Sequence, residues 1–387
     1  MNVDLQAIRP FLDAGHHDFA TGLAEYSQRD LMTLPEPPDD DAGRVQARET
    51  LDWMGNAGWF RTIVDGDLRQ LCLLREEIAA ASPLADAVVA LQGLSVTPLL
   101  LAGNDDMSGA WLEPALRGAA MGAFALTEPG AGSDVSGITT RAVRDGDEYV
   151  LDGHKTYISN AGIADFYVIF ASTDPEAGTR GLSAFVVGAT TPGLSFARPQ
   201  VMSSPHPLGD IELSACRIPA AWRLGEENRG FKLAMQTLDR LRPTVGAAAC
   251  GMAARALAEA LAHVRERRQF GKPLADFQLV QDKLARMHIE LTAARLLVYR
   301  AAWEKDQGAE RISLEAAVAK AHATEAAQRI IDDAVQLVGG AGVLVESPVD
   351  RMYRSIRALR IYEGTTEIQH LIIARHLLAA AEGATAE

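Results

Sequence analysis

The texture of this chain changes twice along its length, and those two changes constrain its architecture more than any single residue does. Up to about residue 118 the apolar residues recur at helical spacing, interrupted at Pro35 to Asp41, where proline and like charges break the pattern. From about Met121 to Ala220 the pattern becomes short apolar or alternating runs divided by turns, among them Glu148 to Asp152, Phe166 to Ala171, Leu182 to Val187 and Ile211 to Ile218. Beyond Gly230 the helical period returns in long Ala- and Leu-rich segments, broken near Gly271-Lys272-Pro273, Gln307-Gly308 and Gly339 to Gly342. The order predicts an α+β, mostly α protein. Its expected parts are an N-terminal helical domain over 1–119, a middle β domain over 120–221 and a C-terminal helical bundle over 222–387.

Composition agrees with a large packed core and excludes some partners. A chain of 387 residues with 48% hydrophobic content can fill two or three packed units. Thirty-seven basic against fifty-one acidic residues give a formal charge of −14, which argues against a general binder of nucleic acid or anionic membrane. No uninterrupted run approaches the roughly 20 apolar residues of a membrane span, and Met1-Asn2-Val3-Asp4 carries no basic segment followed by an apolar core, so a cytoplasmic location is expected. Cys72, Cys216 and Cys250 are odd in number and lack histidines at metal-ligand spacing, so they read as reduced core residues and no metal site is expected.

Two segments carry chemistry. Ile361 to Gln369 places Glu363 in a short Gly-containing stretch just before a helix, whose start is predicted from a capping-box pair of Thr366 and Gln369 and whose apolar face is Ile368, Leu371 and Ile372. A carboxylate there can serve as a base or simply complement the positive end of the helix dipole. In Ala123 to Asp134 an apolar strand runs into a Gly-rich turn bearing the hydroxyls of Thr127 and Ser133, which suits close approach to a polar cofactor and equally suits plain turn chemistry. It lacks the Lys-Ser/Thr ending of a P-loop and the third glycine of the dinucleotide fingerprint.

Taken together with three further stretches, these residues resemble the flavin-dependent acyl-CoA dehydrogenases. The stretches are Leu126 to Asp134, Gly153 to Ala161, Arg265 to Lys272 with Gln278, Gln336 to Gly340, and Ile361 to Gln369. The resemblance runs from about Met107 to Leu378. It implies a small barrel or sandwich for the middle domain, a four-helix bundle at the C-terminus, FAD as cofactor, and α,β-desaturation of an acyl-CoA thioester. In that reaction Glu363 takes the α proton and a hydride passes from Cβ to flavin N5. Some members carry the base at a position matching Leu241, which cannot ionise, so Glu363 is the base the resemblance implies. Its backbone N–H and a ribityl hydroxyl of FAD would support the developing enolate oxygen.

The resemblance also distributes the binding roles. It implies cofactor contacts from Phe124, Leu126, Thr127, Gly132, Ser133, Tyr157 and Ser159, with Tyr157 packing on the ring and Ser159 bonding near N5. From periodicity alone Tyr157 is a strand aromatic and Ser159 a turn residue. Arg268, Phe270, Gln278, Gln336, Gly340, Thr365 and Glu367 would complete the FAD site, several of them reaching a neighbouring subunit's cofactor, which implies a homotetramer built as a dimer of dimers. Arg265 to Arg268 also suits a solvated helix end, and Gly339-Gly340 a helix terminus. Ser133, Arg242, Tyr362 and Gly364 would contact substrate, although Arg242 among Leu238, Leu241 and Val245 also fits a plain helix face.

The expected electron acceptor is an electron-transfer flavoprotein. The alternatives are an acyl-thioester oxidase, a dehydrogenase of carrier-protein-bound acyl groups, a decarboxylating relative, and a non-catalytic flavin-fold binding protein. The clearest departure from the family pattern is Val201 to Asp210, where Pro205 and Pro207 flank His206 and predict a stiff, rerouted loop. A lone loop histidine is expected to be exposed.

Overall fold

The structure is a computed structural model that describes residues 3–381 and 383. Its longer helices are α1 (Ala14–Tyr26), α2 (Asp40–Asn56), α3 (Leu68–Ala81), α4 (Pro83–Ala102), α5 (Gly230–Glu266), α6 (Gln278–Asp306), α7 (Ser313–Val338), α8 (Pro348–Leu359) and α9 (Thr366–Ala381). The strands of the main sheet are β1 (Gly122–Ala125), β2 (Arg141–Asp145), β3 (Glu148–Ser159), β4 (Phe166–Ser172), β5 (Leu182–Gly188), β6 (Leu194–Pro199), β7 (Leu208–Pro219) and β8 (Arg223–Leu224). The helical, β and helical textures of the sequence therefore appear as expected. By packing the chain forms two compact units, one of Pro37–Gly66 and Ala87–Leu238, the other of Met1–Glu36, Asp67–Asp86 and Asp239–Glu387.

The first unit is built on a mixed sheet in the order β6-β7-β3-β2-β4-β5-β8, with β1 pairing parallel to β4. All seven residues of β4 are buried, which its run Phe-Tyr-Val-Ile-Phe-Ala-Ser permits because a strand covered on both faces needs no alternation. β3 and β7 pair antiparallel from Glu148↔Pro219 to Ser159↔Leu208 with two register shifts. The second shift, between Lys155 and Ile158, contains Tyr157 at φ 55°, so a bulge turns that side chain outward. Tyr149, Leu151, Ile169, Phe185, Val187 and Ile211 form the core of the sheet. Helix α2 starts under the side chain of Asp39, which accepts from Ala42 N at 2.8 Å.

The second unit is helical. α6 packs on α7, α7 also holds α8 and α9, and α3 packs on α6. Two glycines let α5 approach its neighbours. A Cβ on Gly251 would stand 1.9 Å from the Glu76 carbonyl oxygen of α3, and one on Gly246 would stand 2.7 Å from Val298 of α6. Buried between the helices, Glu76 accepts from Arg295 Nε at 2.6 Å and Tyr299 OH at 2.9 Å. The three cysteines are free and buried, and burial raises each thiol pKa.

Two expectations about chain ends change. The predicted Thr366–Gln369 capping box does not form: Thr365 precedes the helix and its Oγ1 accepts from Ile368 N at 3.4 Å, while Thr366 Oγ1 bonds Glu325 at 2.8 Å and Gln369 reaches back to Gly364 O. The sequence offers two adjacent threonines, and the available acceptor on α7 decides which one enters the helix. From its composition the Ala- and Glu-rich stretch after Leu378 is expected to fray, but α9 continues to Ala381; residues 382 and 384–387 lie outside the described residues. α4 and α5 are long and apolar enough to cross a membrane, yet most of each apolar window is buried within the molecule, as in the core helices of globular proteins.

Candidate active site

In the helical unit, α8 ends at Leu359 and α9 begins at Thr366, leaving a short connection in which Glu363 has φ 55° and Gly364 φ 91°. Left-handed backbone at a glutamate is strained and persists only where its surroundings hold it. Three buried donors do so. The ammonium of Lys320, 1% exposed on α7, bonds the carbonyls of Tyr362 and Gly364. Arg242 Nε donates to Glu363 O at 3.2 Å, and Gln369 Nε2 to Gly364 O at 2.8 Å. Arg242 is itself fixed by Asp239 at 2.6 Å, whose other oxygen accepts from Ser313 Oγ at 2.6 Å.

The peptide backbone is thus pinned while the carboxylate is left free. Glu363 Oε2 is out of solvent contact and has no hydrogen-bond partner among the described residues. Burial pushes the Glu363 carboxyl up, and the charges of Arg75, Lys320 and Arg242 oppose it without winning. Burial also pulls Lys320 down to about 8. Arg75 is 2% exposed and holds Asp86 in a two-pronged ion pair, Nε to Oδ1 at 2.8 Å and Nη2 to Oδ2 at 2.7 Å, with Nη1 on Thr244 Oγ1 at 3.0 Å. Burial pushes the Tyr362 hydroxyl up against the Arg75 charge. Leu241 is buried.

In the strand unit, β1 carries Phe124, its ring 4.9 Å from that of Phe170, and leads into a turn closed by paired bonds between Glu128 and Ala131 at 3.0 and 3.1 Å. Beneath the turn lies a buried ion pair. Glu128 accepts from Lys155 Nζ at 2.8 Å, Thr139 N at 2.7 Å, Thr139 Oγ1 at 2.8 Å and Thr140 N at 3.0 Å, and Lys155 Nζ also reaches Leu126 O at 3.1 Å. Burial pushes the Glu128 carboxyl up, but Lys155 and the threonine donors outweigh it and hold it at about 2; burial pulls Lys155 down to about 8. Thr127 O accepts from Thr156 N at 3.0 Å. Gly132 and Ser133 are exposed, nothing lies within 4 Å of where a Gly132 Cβ would be, and the hydroxyls of Thr127 and Ser133 make no bond among the described residues. Tyr157 is 65% exposed. Ser159 Oγ is 2.8 Å from His206 Nε2, so His206 is half-buried and bonded where an exposed loop residue was expected.

The remaining predicted positions lie on the helical unit. Arg268 and Gln269 pair with Pro273 and Lys272 in a two-residue ribbon, and Arg268 Nη2 bonds Gly271 O at 3.2 Å. Phe270 at its tip is 93% exposed at φ 50°. Gln278 is exposed at the start of α6, Gln336 is exposed near the end of α7, and Gly340 is exposed just past Gly339, whose φ of 69° ends that helix. Thr365 caps α9 and Glu367 is exposed in its first turn.

These donors fit a flavin nucleotide. An unpaired pair of hydroxyls on an open glycine turn suits a polyol and phosphate, an exposed guanidinium beside the ribbon suits a phosphate, and aromatics held outward on strained backbone suit flat rings. The residues that sequence reasoning missed are Lys320, Arg75, Asp86, Glu128 and Lys155. Lys320 was findable as the one cation amid Ala316, Ala317, Ala319 and Ala323 on an apolar helix face, where an unpaired charge would be expelled.

The profile described as acyl-CoA dehydrogenase, middle domain, matches residues 123–216, and that for acyl-CoA dehydrogenase, C-terminal domain, matches 228–378. The chain is 42% identical over 373 residues to a 3-(aryl)acrylate reductase of Clostridium sporogenes, covering 94% of this chain and 98% of that one. It is 38% identical to the caffeyl-CoA reductase-Etf complex subunit CarC of Acetobacterium woodii, covering 92% and 96%. The solved structure of butyryl-CoA dehydrogenase from Megasphaera elsdenii superposes with a TM-score of 0.88 at 34% identity, covering 95% of this chain and 99% of that one. Fold, donor set and comparisons define the class: an FAD-dependent oxidoreductase acting on CH–CH groups. Within that class, this chain belongs to the acyl-CoA dehydrogenase family.

Proposed function

We propose that this protein interconverts an acyl-CoA thioester and its α,β-unsaturated counterpart, with Glu363 as the group that exchanges the α proton. The observation that carries the reading is the Glu363 carboxylate: Oε2 is dehydrated and unpartnered while three buried donors fix the backbone on either side of it. A base so placed keeps its reach and loses its competitors, and its raised pKa brings it toward the operating pH. Among the described residues the Glu363 backbone N–H has no acceptor, which leaves it available to the thioester oxygen as negative charge develops there. Bound FAD supplies the hydride acceptor. Thr127 and Ser133 bind its polar parts, Phe124, Leu126 and Gly132 shape the turn around it, and Tyr157 and Ser159 meet the ring. Arg268, Phe270, Gln278, Gln336 and Gly340 hold the nucleotide end of a neighbouring subunit's cofactor, with Thr365 and Glu367 beside the base. Arg242, Tyr362 and Gly364 line the acyl side.

Two relatives are named for reducing arylacrylate and caffeyl-CoA, so the acyl groups to be tried include aryl-substituted three-carbon chains as well as short aliphatic ones. Direction is then set by the electron partner, for which an electron-transfer flavoprotein is the proposal; a neighbour named as part of an Etf complex supports it. A homotetramer in the cytoplasm, with the chain divided at 1–119, 120–221 and 222–387, completes the reading. The test is an anaerobic titration of the flavin band with a panel of acyl-CoA thioesters. Bleaching by one member supports the reading and narrows the substrate, and Glu363→Gln should keep FAD while slowing bleaching by about 10³-fold or more. Near-normal bleaching by E363Q would move the base elsewhere.

A further inference from the structure

The segment that departs most from the family pattern, Val201 to Asp210, ends with its histidine on a residue of the flavin side. Ser159 is the last residue of β3, two positions beyond the outward-turned Tyr157, and its hydroxyl lies 2.8 Å from His206 Nε2. The imidazole does not arrive there by a flexible route. Pro205 and Pro207 fix the backbone on both sides, and Pro207 O accepts from Asn160 N at 2.8 Å, tying the loop to the residue after Ser159. On the other side Gly43 of α2 sits against Pro205, so close that a Cβ there would be 3.2 Å from the Pro205 ring. The next residue, Arg44, ties the chain just past the end of β3 to the start of β7: Nη1 donates to Ala161 O at 2.6 Å and Nη2 to Leu208 O at 2.7 Å, while Nε is held by Asp40 at 2.7 Å.

A serine hydroxyl rotates to suit whichever partner is near, so on its own it gives a ligand no fixed polarity. One rigid imidazole removes that freedom. From this we infer that His206 is a positioning residue for the Ser159 hydroxyl, and that through Ser159 it sets the redox behaviour of the bound flavin. The inference rests on the proposed placement of Ser159 beside the flavin ring. Burial favours the neutral imidazole, with Asp40 and Arg44 pulling in opposite senses, so His206 serves as a hydrogen-bond partner and adds no charge.

The test uses the flavin-loaded protein and reads the midpoint potential and visible bands of its FAD, without substrate, in H206F, H206Q, S159A and the S159A/H206F double variant. The expected result is that H206F and S159A each shift the potential in the same direction, that the double variant shifts it no further than S159A alone, and that H206Q, whose amide can still reach Ser159, stays near the parent. A shift in S159A with none in H206F, or shifts that add in the double variant, overturns the role of His206. No shift in S159A overturns it together with the placement of Ser159 beside the flavin, while bleaching of the E363Q-sensitive flavin band by substrate would still stand. If H206F does not retain flavin, H206A gives the same comparison.

Discussion

Lys320 shows how much one side chain can determine at this site. Its ammonium bonds the carbonyls on both sides of Glu363 and its charge lowers the carboxyl pKa, so it acts on both position and proton affinity. Lys320→Met should slow flavin reduction by substrate on the order of 10–100-fold, since small displacements of a reacting group are expensive. It should also move the acid limb of the pH–rate profile to higher pH, because one of the opposing cations is gone. Stopped-flow reduction across pH checks both, and an unshifted profile would limit Lys320 to holding the loop. His206 gives a second residue-scale prediction. Burial lowers it to about 4, below its ordinary 6.5, so between those values the unfolded chain binds more protons than the folded one. Its stabilising contribution is complete above pH 6.5 and is lost as pH falls toward 4, by roughly 2–3 kcal/mol. H206Q should lose less stability than the parent over that interval in denaturant melts.

At the scale of elements, the turn after β1 depends on a pair that spans 27 positions, Glu128 and Lys155. Glu128→Gln leaves the Lys155 ammonium buried beside a neutral amide. The expected loss is about 3–5 kcal/mol in denaturant unfolding, together with weaker FAD retention. The same comparison explains what was legible in the sequence. Strands β3, β4, β5 and β7 and the breaks before α6, α7 and α8 follow local periodicity and turn residues, and Glu363, Tyr157 and Ser159 lie in short runs whose composition is itself unusual. The supports of those runs are not local. Lys320 meets Tyr362 across 42 positions, Arg75 meets Thr244 across 169, and Arg44 meets Ala161 across 117. A lysine in an Ala-rich helix or an arginine after two leucines shows no partner until the chain has folded. The cap of α9 was misassigned for the same reason, because Glu325 chooses between two adjacent threonines.

For the whole molecule, packing groups the chain into units that interleave along the sequence, a grouping that periodicity cannot display because it records only neighbours in order. The helical unit also keeps large apolar side chains in the open, among them Phe270 at 93%, Leu279 at 83% and Val345 at 70% exposed. Apolar surface of this kind is normally covered by another protein surface, which supports the proposed homotetramer. Phe270→Ser with Leu279→Ser should lower the mass seen in sedimentation, and an unchanged tetramer would remove this ribbon from the interface. Arg268→Ala should raise the FAD dissociation constant by about 10-fold or more, the size expected for one charge-assisted phosphate contact.

The ion pair under the glycine turn has one more consequence. Its carboxylate and ammonium satisfy each other, the Thr139 hydroxyl and the backbone groups of Leu126, Thr139 and Thr140 without help from any bound molecule. The turn is therefore a mould that has set before anything is poured into it. Protein stripped of its flavin should keep that mould and accept chemically altered flavins of the same outline, so that the fluorescence or halogen label of each analogue reports on the neighbouring side chains one substitution at a time.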